Sequence, residues 1–156
     1  MRSISGLLEN LDHQMIKGPE EGEVTALVYD SRKVTEGCMF VCIKGAVYDS
    51  HEHVEEIVAK GARVIVAERE VEVPEDTALV LVPDTRYALA LLSAAYFDHP
   101  ADQMKIIGIT GTKGKTTTTF MIKGILEHAG YKVGLIGTIE TIIGEKHIPV
   151  PDKTQA

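Results

Sequence analysis

The sequence Lys105-Ile106-Ile107-Gly108-Ile109-Thr110-Gly111-Thr112-Lys113-Gly114-Lys115-Thr116-Thr117 passes from an apolar run through a glycine-rich turn into a helical pattern. The first six residues predict a buried strand, and Lys115 to Ala129 a helix that stops at Gly130. Between them the glycines let the backbone curl so that several amide N–H groups point inward. The helix start adds its positive end, Lys115 can reach the terminal phosphates, and the Thr116 hydroxyl can bind Mg²⁺. Gly111, Thr112, Lys113, Gly114, Lys115, Thr116 and Thr117 are therefore the candidate nucleotide-binding residues. Lys115 and Thr116 are the candidate catalytic residues, and Thr116 the candidate metal ligand. The strict phosphate-loop pattern needs glycine at position 109, where this chain has Ile109. Strand, turn and helix in this order carry the assignment, with the glycines spaced as Gly108, Gly111 and Gly114.

Downstream, Lys132 to Gly137 reads as the next strand, giving a βαβ unit expected to pair in parallel with a right-handed crossover. The chain ends soon after, at Ile148-Pro149-Val150-Pro151-Asp152-Lys153-Thr154-Gln155-Ala156. A parallel sheet of so few strands leaves much of its surface uncovered, so the sequence is expected to be a fragment of a longer protein.

Upstream lies a second pattern. Val24–Tyr29 reads as a strand with the polar exit Asp30-Ser31-Arg32-Lys33, and Cys38–Ile43 as another. Ser50–Lys60 carries Val54, Ile57 and Val58 at helical spacing and ends at Gly61. Arg63–Ala67 and Ala78–Val82 are short apolar strands flanking an acidic connector. Asp84 is placed to cap a helix through Ala88–Ala95, which Asp98-His99-Pro100 terminates.

A net charge of −7 over 156 residues argues against nucleic acid or an acidic membrane as partner, since both attract basic surfaces. An anionic substrate must then find a local positive site. Cys38 and Cys42 lack metal-ligand spacing and are expected to be reduced, buried packing residues. The amino terminus has no long apolar core, and a cytoplasmic location is expected. The histidines, His13, His51, His53, His99, His128 and His147, are scattered. His51 and His53 should diverge, with cap and surface roles as the default.

Ile109-Thr110-Gly111-Thr112-Lys113-Gly114-Lys115-Thr116-Thr117 resembles the ATP-binding loop of the Mur ligases, which build the peptide stem of bacterial cell-wall precursors. Gly134-Leu135-Ile136-Gly137-Thr138-Ile139 is similar to the type that adds the third residue. The family usually has asparagine at the position of Lys113. That lysine either adds charge beside the phosphates or is a solvated residue on the loop shoulder. Asp30-Ser31-Arg32, Gly37-Cys38-Met39-Phe40-Val41, Lys44-Gly45, Asp49 and Gly61-Ala62 resemble the family's uridine-diphosphate-binding domain. Without the resemblance, Asp30-Ser31-Arg32 is a plain polar turn.

The resemblance implies an α/β chain: a small mixed-sheet UDP-binding domain over residues 1–100, then the start of a P-loop parallel-sheet ATPase domain over residues 101–156. It places uridine contacts on Tyr29 and Ser31 and on Ala46, Val47 and Tyr48, with Arg32 available to balance diphosphate charge. Thr154 matches a threonine that holds the peptide substrate, although Pro151-Asp152-Lys153 departs from the family's pattern. The implied substrates are ATP, with Mg²⁺ as cofactor, UDP-N-acetylmuramoyl-L-alanyl-D-glutamate and an amino acid, joined through an acyl phosphate. The remaining catalytic groups would lie beyond Ala156, so this stretch alone is expected to be inactive. A ligase adding the fourth residue, or a non-catalytic nucleotide-binding module, are the alternatives.

Overall fold

Cys38–Val41, Val64–Ala67 and Ala78–Leu81 are continuous apolar runs because both faces of the sheet they form are covered. The computed structural model describes residues 1–19 and 21–149, in two compact units, Met1–Lys105 and Ile106–Ala156. The first unit runs β1 (Arg2–Ser3), α1 (Ile4–Leu8), β2 (Gln14–Lys17), β3 (Glu23–Val24), β4 (Leu27–Val28), β5 (Cys38–Val41), α2 (Val54–Ala59), β6 (Ala62–Ala67), β7 (Ala78–Leu81) and α3 (Thr85–Tyr96). Its main sheet has the order β2-β7-β6-β5-β4. The four strands β4 to β7 are parallel, and β2 pairs antiparallel with β7 at the edge.

Alternation along the strands divides the core. Met39, Val41, Val64, Val66 and Val80 pack with Ile4, Leu7 and Leu8 of α1 and with Ala88 and Leu92 of α3. Phe40, Cys42, Ile65, Ala67 and Leu79 pack on the other face with Val54 and Ile57 of α2. Both cysteines are free and fully buried, as the sequence implies.

Asp84 caps α3 by accepting from the backbone N–H groups of Arg86 and Tyr87 at 2.8 and 2.9 Å. The helix stops where Asp98 and His99 take left-handed φ of 58° and 51°, and Asp98 is gripped by Arg2 at 2.7 Å. The strand expected over Val24–Tyr29 is split in two. Val24 pairs with Arg2 in the small β1–β3 ladder, Thr25 donates its N–H to Gly37, and Leu27–Val28 joins the main sheet. The helix expected from Ser50 begins as a 3₁₀ turn over Ser50–His53.

In the second unit α4 (Lys115–His128) is followed by β8 (Gly134–Ile136), β9 (Glu140–Ile143) and β10 (Lys146–Pro149), an antiparallel meander. Here the structure differs from the expected parallel pair. Lys105–Thr110 joins no ladder among the described residues, and Ile106 and Ile107 are exposed. Antiparallel neighbours close through short turns, so β8 pairs with β9, and its other edge has no strand partner among the described residues. No helix among the described residues is long and apolar enough to cross a membrane.

Candidate functional sites

The phosphate-loop candidates form one continuous turn at the start of α4. Gly114 is the residue before the helix, with φ 77° and ψ −4°, a left-handed conformation that side chains disfavour. A Cβ there would meet nothing within 4 Å, so backbone conformation alone selects glycine. Thr118 closes the first turn by donating both its N–H and its hydroxyl to the Gly114 carbonyl at 2.9 Å. Lys115 folds back so that Nζ donates to the carbonyl of Gly111, which holds the ammonium across the mouth of the turn. Thr112, Lys113 and Thr117 are exposed on its shoulder.

The threonines separate by role. Thr118 and Thr119 spend their hydroxyls on helix carbonyls, Thr119 donating to Thr116 at 2.7 Å. The half-buried Thr116 makes no hydrogen bond through its own hydroxyl among the described residues. That oxygen is available to an ion, so the residue suits a metal ligand. No cluster of three or more His, Cys, Asp or Glu able to hold a metal exists among the described residues.

The other candidates meet at the carboxyl ends of adjacent parallel strands, where open α/β sheets bind ligands. Tyr29 and Ser31 follow β4, and Ala46, Val47 and Tyr48 follow β5. Tyr29 is 61% and Val47 102% exposed, and neither Tyr29 nor Ser31 has a partner for its hydroxyl among the described residues. Two bonds shape the second loop: Gly45 N–H donates to the Tyr48 carbonyl at 2.8 Å, and Lys44 pairs with Asp49 across its base. The ring of Tyr48 stacks on His53 at 4.6 Å.

Arg32 is engaged by a neighbouring carboxylate. Its guanidinium forks onto Asp30, Nε to Oδ1 and Nη2 to Oδ2, both at 2.9 Å, and Asp30 also accepts the Arg32 N–H. These hydrogen bonds hold the Asp30 carboxyl down to about 2. The cation is thus already matched by a carboxylate. Thr154 lies outside the described residues.

His51 was missed by the sequence reading. Its ring is buried, unlike the surface or cap role expected of the histidines. Nδ1 lies 2.6 Å from Asp49 Oδ1, and Nε2 lies 3.2 Å from the backbone nitrogen of Glu68. Because that backbone N–H can only donate, Nε2 accepts, and the proton on Nδ1 goes to Asp49. His51 thereby ties the loop after β5 to the end of β6. Burial would raise the Asp49 carboxyl, but hydrogen bonds from the His51 ring and N–H hold it below the usual range. Glu68 in turn accepts from the N–H and hydroxyl of Thr85, both at 2.9 Å, linking the end of β6 to α3. As expected, His53 points elsewhere, onto Tyr48.

Comparison with known proteins matches two successive segments of the chain. Residues 23–97 match the Mur ligase family, catalytic domain, and residues 109–156 match the Mur ligase middle domain. The UDP-N-acetylmuramoyl-L-alanyl-D-glutamate--2,6-diaminopimelate ligase of Clostridium perfringens is 48% identical over 145 residues. That alignment covers 93% of this chain and 30% of the relative. The ligase of the same name from Geobacillus thermodenitrificans is 45% identical over 132 residues, covering 85% of this chain and 27% of the relative. The chain thus spans about 30% of the length of such relatives.

Among solved structures, the UDP-N-acetylmuramoylalanyl-D-glutamyl-2,6-diaminopimelate--D-alanyl-D-alanyl ligase of Acinetobacter baumannii superposes with a TM-score of 0.61 at 32% identity, covering 81% of this chain and 28% of that one. A UDP-N-acetylmuramoyl-L-alanyl-D-glutamate--2,6-diaminopimelate ligase reaches a TM-score of 0.72 over 94% of this chain and 30% of that one. Its 23% identity speaks for the fold alone. With two family segments in succession, the second containing the turn Gly111–Gly114 and α4, the chain belongs to the Mur ligase family.

Proposed function

We propose that this chain supplies the UDP-substrate-binding domain and the ATP phosphate loop of a ligase that adds the third amino acid to UDP-N-acetylmuramoyl-L-alanyl-D-glutamate. The first unit would be the UDP-binding domain and the second the beginning of the ATP domain. The observation that carries this reading is the pairing of two sites in one chain. A glycine-turned cradle leads into α4, and unpartnered hydroxyls of Tyr29 and Ser31 stand beside the open loop Ala46–Tyr48. Relatives at 41–48% identity carry the third-residue name, which favours that type over the fourth-residue one.

In this reading a carboxylate oxygen of the substrate attacks the γ-phosphorus of ATP, ADP leaves, and an acyl phosphate forms. The amine of the incoming amino acid then attacks the acyl carbon and phosphate departs. Lys115 leaves the Gly111 carbonyl for the phosphate oxygens and balances their charge as the bond to ADP lengthens. Backbone N–H groups from Thr112 to Thr117 hold the phosphates still. The Thr116 hydroxyl would be the ligand this chain gives Mg²⁺, which would supply positive charge to the phosphates. Uracil would be held by the Ser31 and Tyr29 hydroxyls and by the backbone of Ala46–Tyr48. Because ATP drives the reaction, we place it in the cytoplasm.

Calorimetric titration of the chain with the UDP-muramoyl dipeptide, with Ser31→Ala beside it, tests the substrate half. Binding that Ser31→Ala weakens supports the reading, and a folded chain that binds neither the dipeptide nor UDP overturns it. ATP titration with Lys115→Ala tests the nucleotide half in the same way.

A further inference from the structure

We infer that Arg86, and not Arg32, receives the diphosphate of the UDP-linked substrate; this rests on the uridine site proposed above. In a chain of net charge −7, a diphosphate needs a local cation whose charge is not already matched. Several cations border the carboxyl edge of the sheet, and their partners differ. Arg32 is forked by Asp30. Arg69 is held by Asp49 at 3.3 Å, with Glu52 at 4.0 Å. Lys60, by contrast, lies between α2 and the start of β6, at the amino end of that strand, and reaches the Ser31 carbonyl at 3.4 Å.

Arg86 makes no ion pair among the described residues. Its Nη2 donates to the Lys44 carbonyl at 2.9 Å, immediately before the loop Gly45–Tyr48. Arg86 follows β7 and Lys44 follows β5, so the side chain crosses the end of β6, a span of roughly 10 Å at the usual strand spacing. It is oriented by that single carbonyl contact at one end and by the capped first turn of α3 at the other, where Asp84 accepts the Arg86 N–H. The guanidinium has further donors in its planar fork, the geometry that suits phosphate oxygens. The exposed ammonium of Lys44, also without an ion pair among the described residues, stands beside the same loop. Uracil on the β4 side of the loop and diphosphate on the β7 side give the ligand one direction across the edge.

The test compares uridine with UDP, by titration followed through backbone amide resonances of the full 156-residue chain. A Lys115→Ala background removes binding of UDP at the phosphate loop. Arg86→Gln should weaken UDP about tenfold or more, the loss of a charge-assisted contact, while uridine affinity changes less than about twofold. Arg32→Gln should leave both ligands within about twofold. Equal losses for uridine and UDP in Arg86→Gln would make the residue a loop tether and overturn the assignment. So would a UDP-selective loss in Arg32→Gln with Arg86→Gln unaffected. If the background chain binds uridine, only the Arg86 assignment is at stake. If it binds neither ligand, the uridine site itself falls, and Arg86 with it.

Discussion

Removing the His51 ring should cost the first unit about 2–4 kcal/mol, and two conservative variants should divide that loss. The ring is buried and makes two bonds of unequal strength. Nδ1–H to the Asp49 carboxylate at 2.6 Å is charge-assisted and contributes roughly 1.5–3 kcal/mol; the bond accepted from the Glu68 N–H at 3.2 Å is neutral and contributes about 0.5–1.5 kcal/mol. His51→Ala loses both. Asparagine places its amide nitrogen as many bonds from Cα as Nδ1, and so can keep the Asp49 contact. Glutamine reaches as far as Nε2 and can keep only the Glu68 contact. His51→Asn should therefore recover more stability than His51→Gln. Hydrogen exchange at the amides of Ala62–Ala67 reads this, because a signal from the whole chain would mix two units and the chain has no tryptophan. A loss below about 1 kcal/mol in His51→Ala, or glutamine outperforming asparagine, would refute the tautomer and the tethering role together.

Asp30 should titrate near pH 2 when followed by carboxyl resonances. Its folded value lies below the unfolded 3.8, so its stabilising effect is complete above about pH 4 and is lost as pH falls toward 2. With Arg32 largely exposed, that effect should stay below about 1 kcal/mol, and Asp30→Asn should remove it. Burial pushes the Cys42 thiol up to about 12, so neither cysteine should react with an aromatic disulfide at pH 8 until the chain is unfolded in urea. Rapid native-state labelling would contradict the packing described. Gly114→Ala should cost about 1 kcal/mol from its left-handed φ alone and should weaken ATP binding. Gly45→Ala places a Cβ 3.0 Å from the Tyr48 carbonyl oxygen, and should weaken uridine binding while leaving ATP binding unchanged, as parallel titrations would show.

Features with a local cause were legible in the sequence. Cys38–Val41, Val64–Ala67 and Ala78–Leu81 announce themselves as apolar runs, Asp84 as a cap, and Gly111–Thr117 as a glycine-rich turn entering a helix. What was missed has its cause far along the chain. α1 has only five residues, too short for a helical period, and Gln14–Lys17 becomes a strand because β7 offers an edge. Asp49 and His51 are neighbours, yet the burial of His51 depends on Glu68, seventeen residues away. Arg86 binds a carbonyl, and every residue carries a carbonyl, so no pattern could single out Lys44 as its partner. Lys105–Thr110 is the opposite case: its apolar character predicts a buried strand, but a ladder also requires a neighbour that composition does not specify, and the segment joins none among the described residues.

The two sites share a construction that decides which substitutions matter. Each exposes backbone polar groups on a turn set by glycine, Gly114 in one and Gly45 in the other, and each has a long cation tied to a carbonyl of that turn or its flank. Lys115 is tied to Gly111 and Arg86 to Lys44. A carbonyl contact orients the cation without neutralising it, whereas a carboxylate contact, as at Arg32, matches its charge. An anion can therefore displace the carbonyl at the cost of one neutral hydrogen bond, while taking Arg32 would leave Asp30 unpaired. Ala46 and Val47 lie within the loop whose backbone would carry the contacts, so their exposed side chains should contribute little to binding.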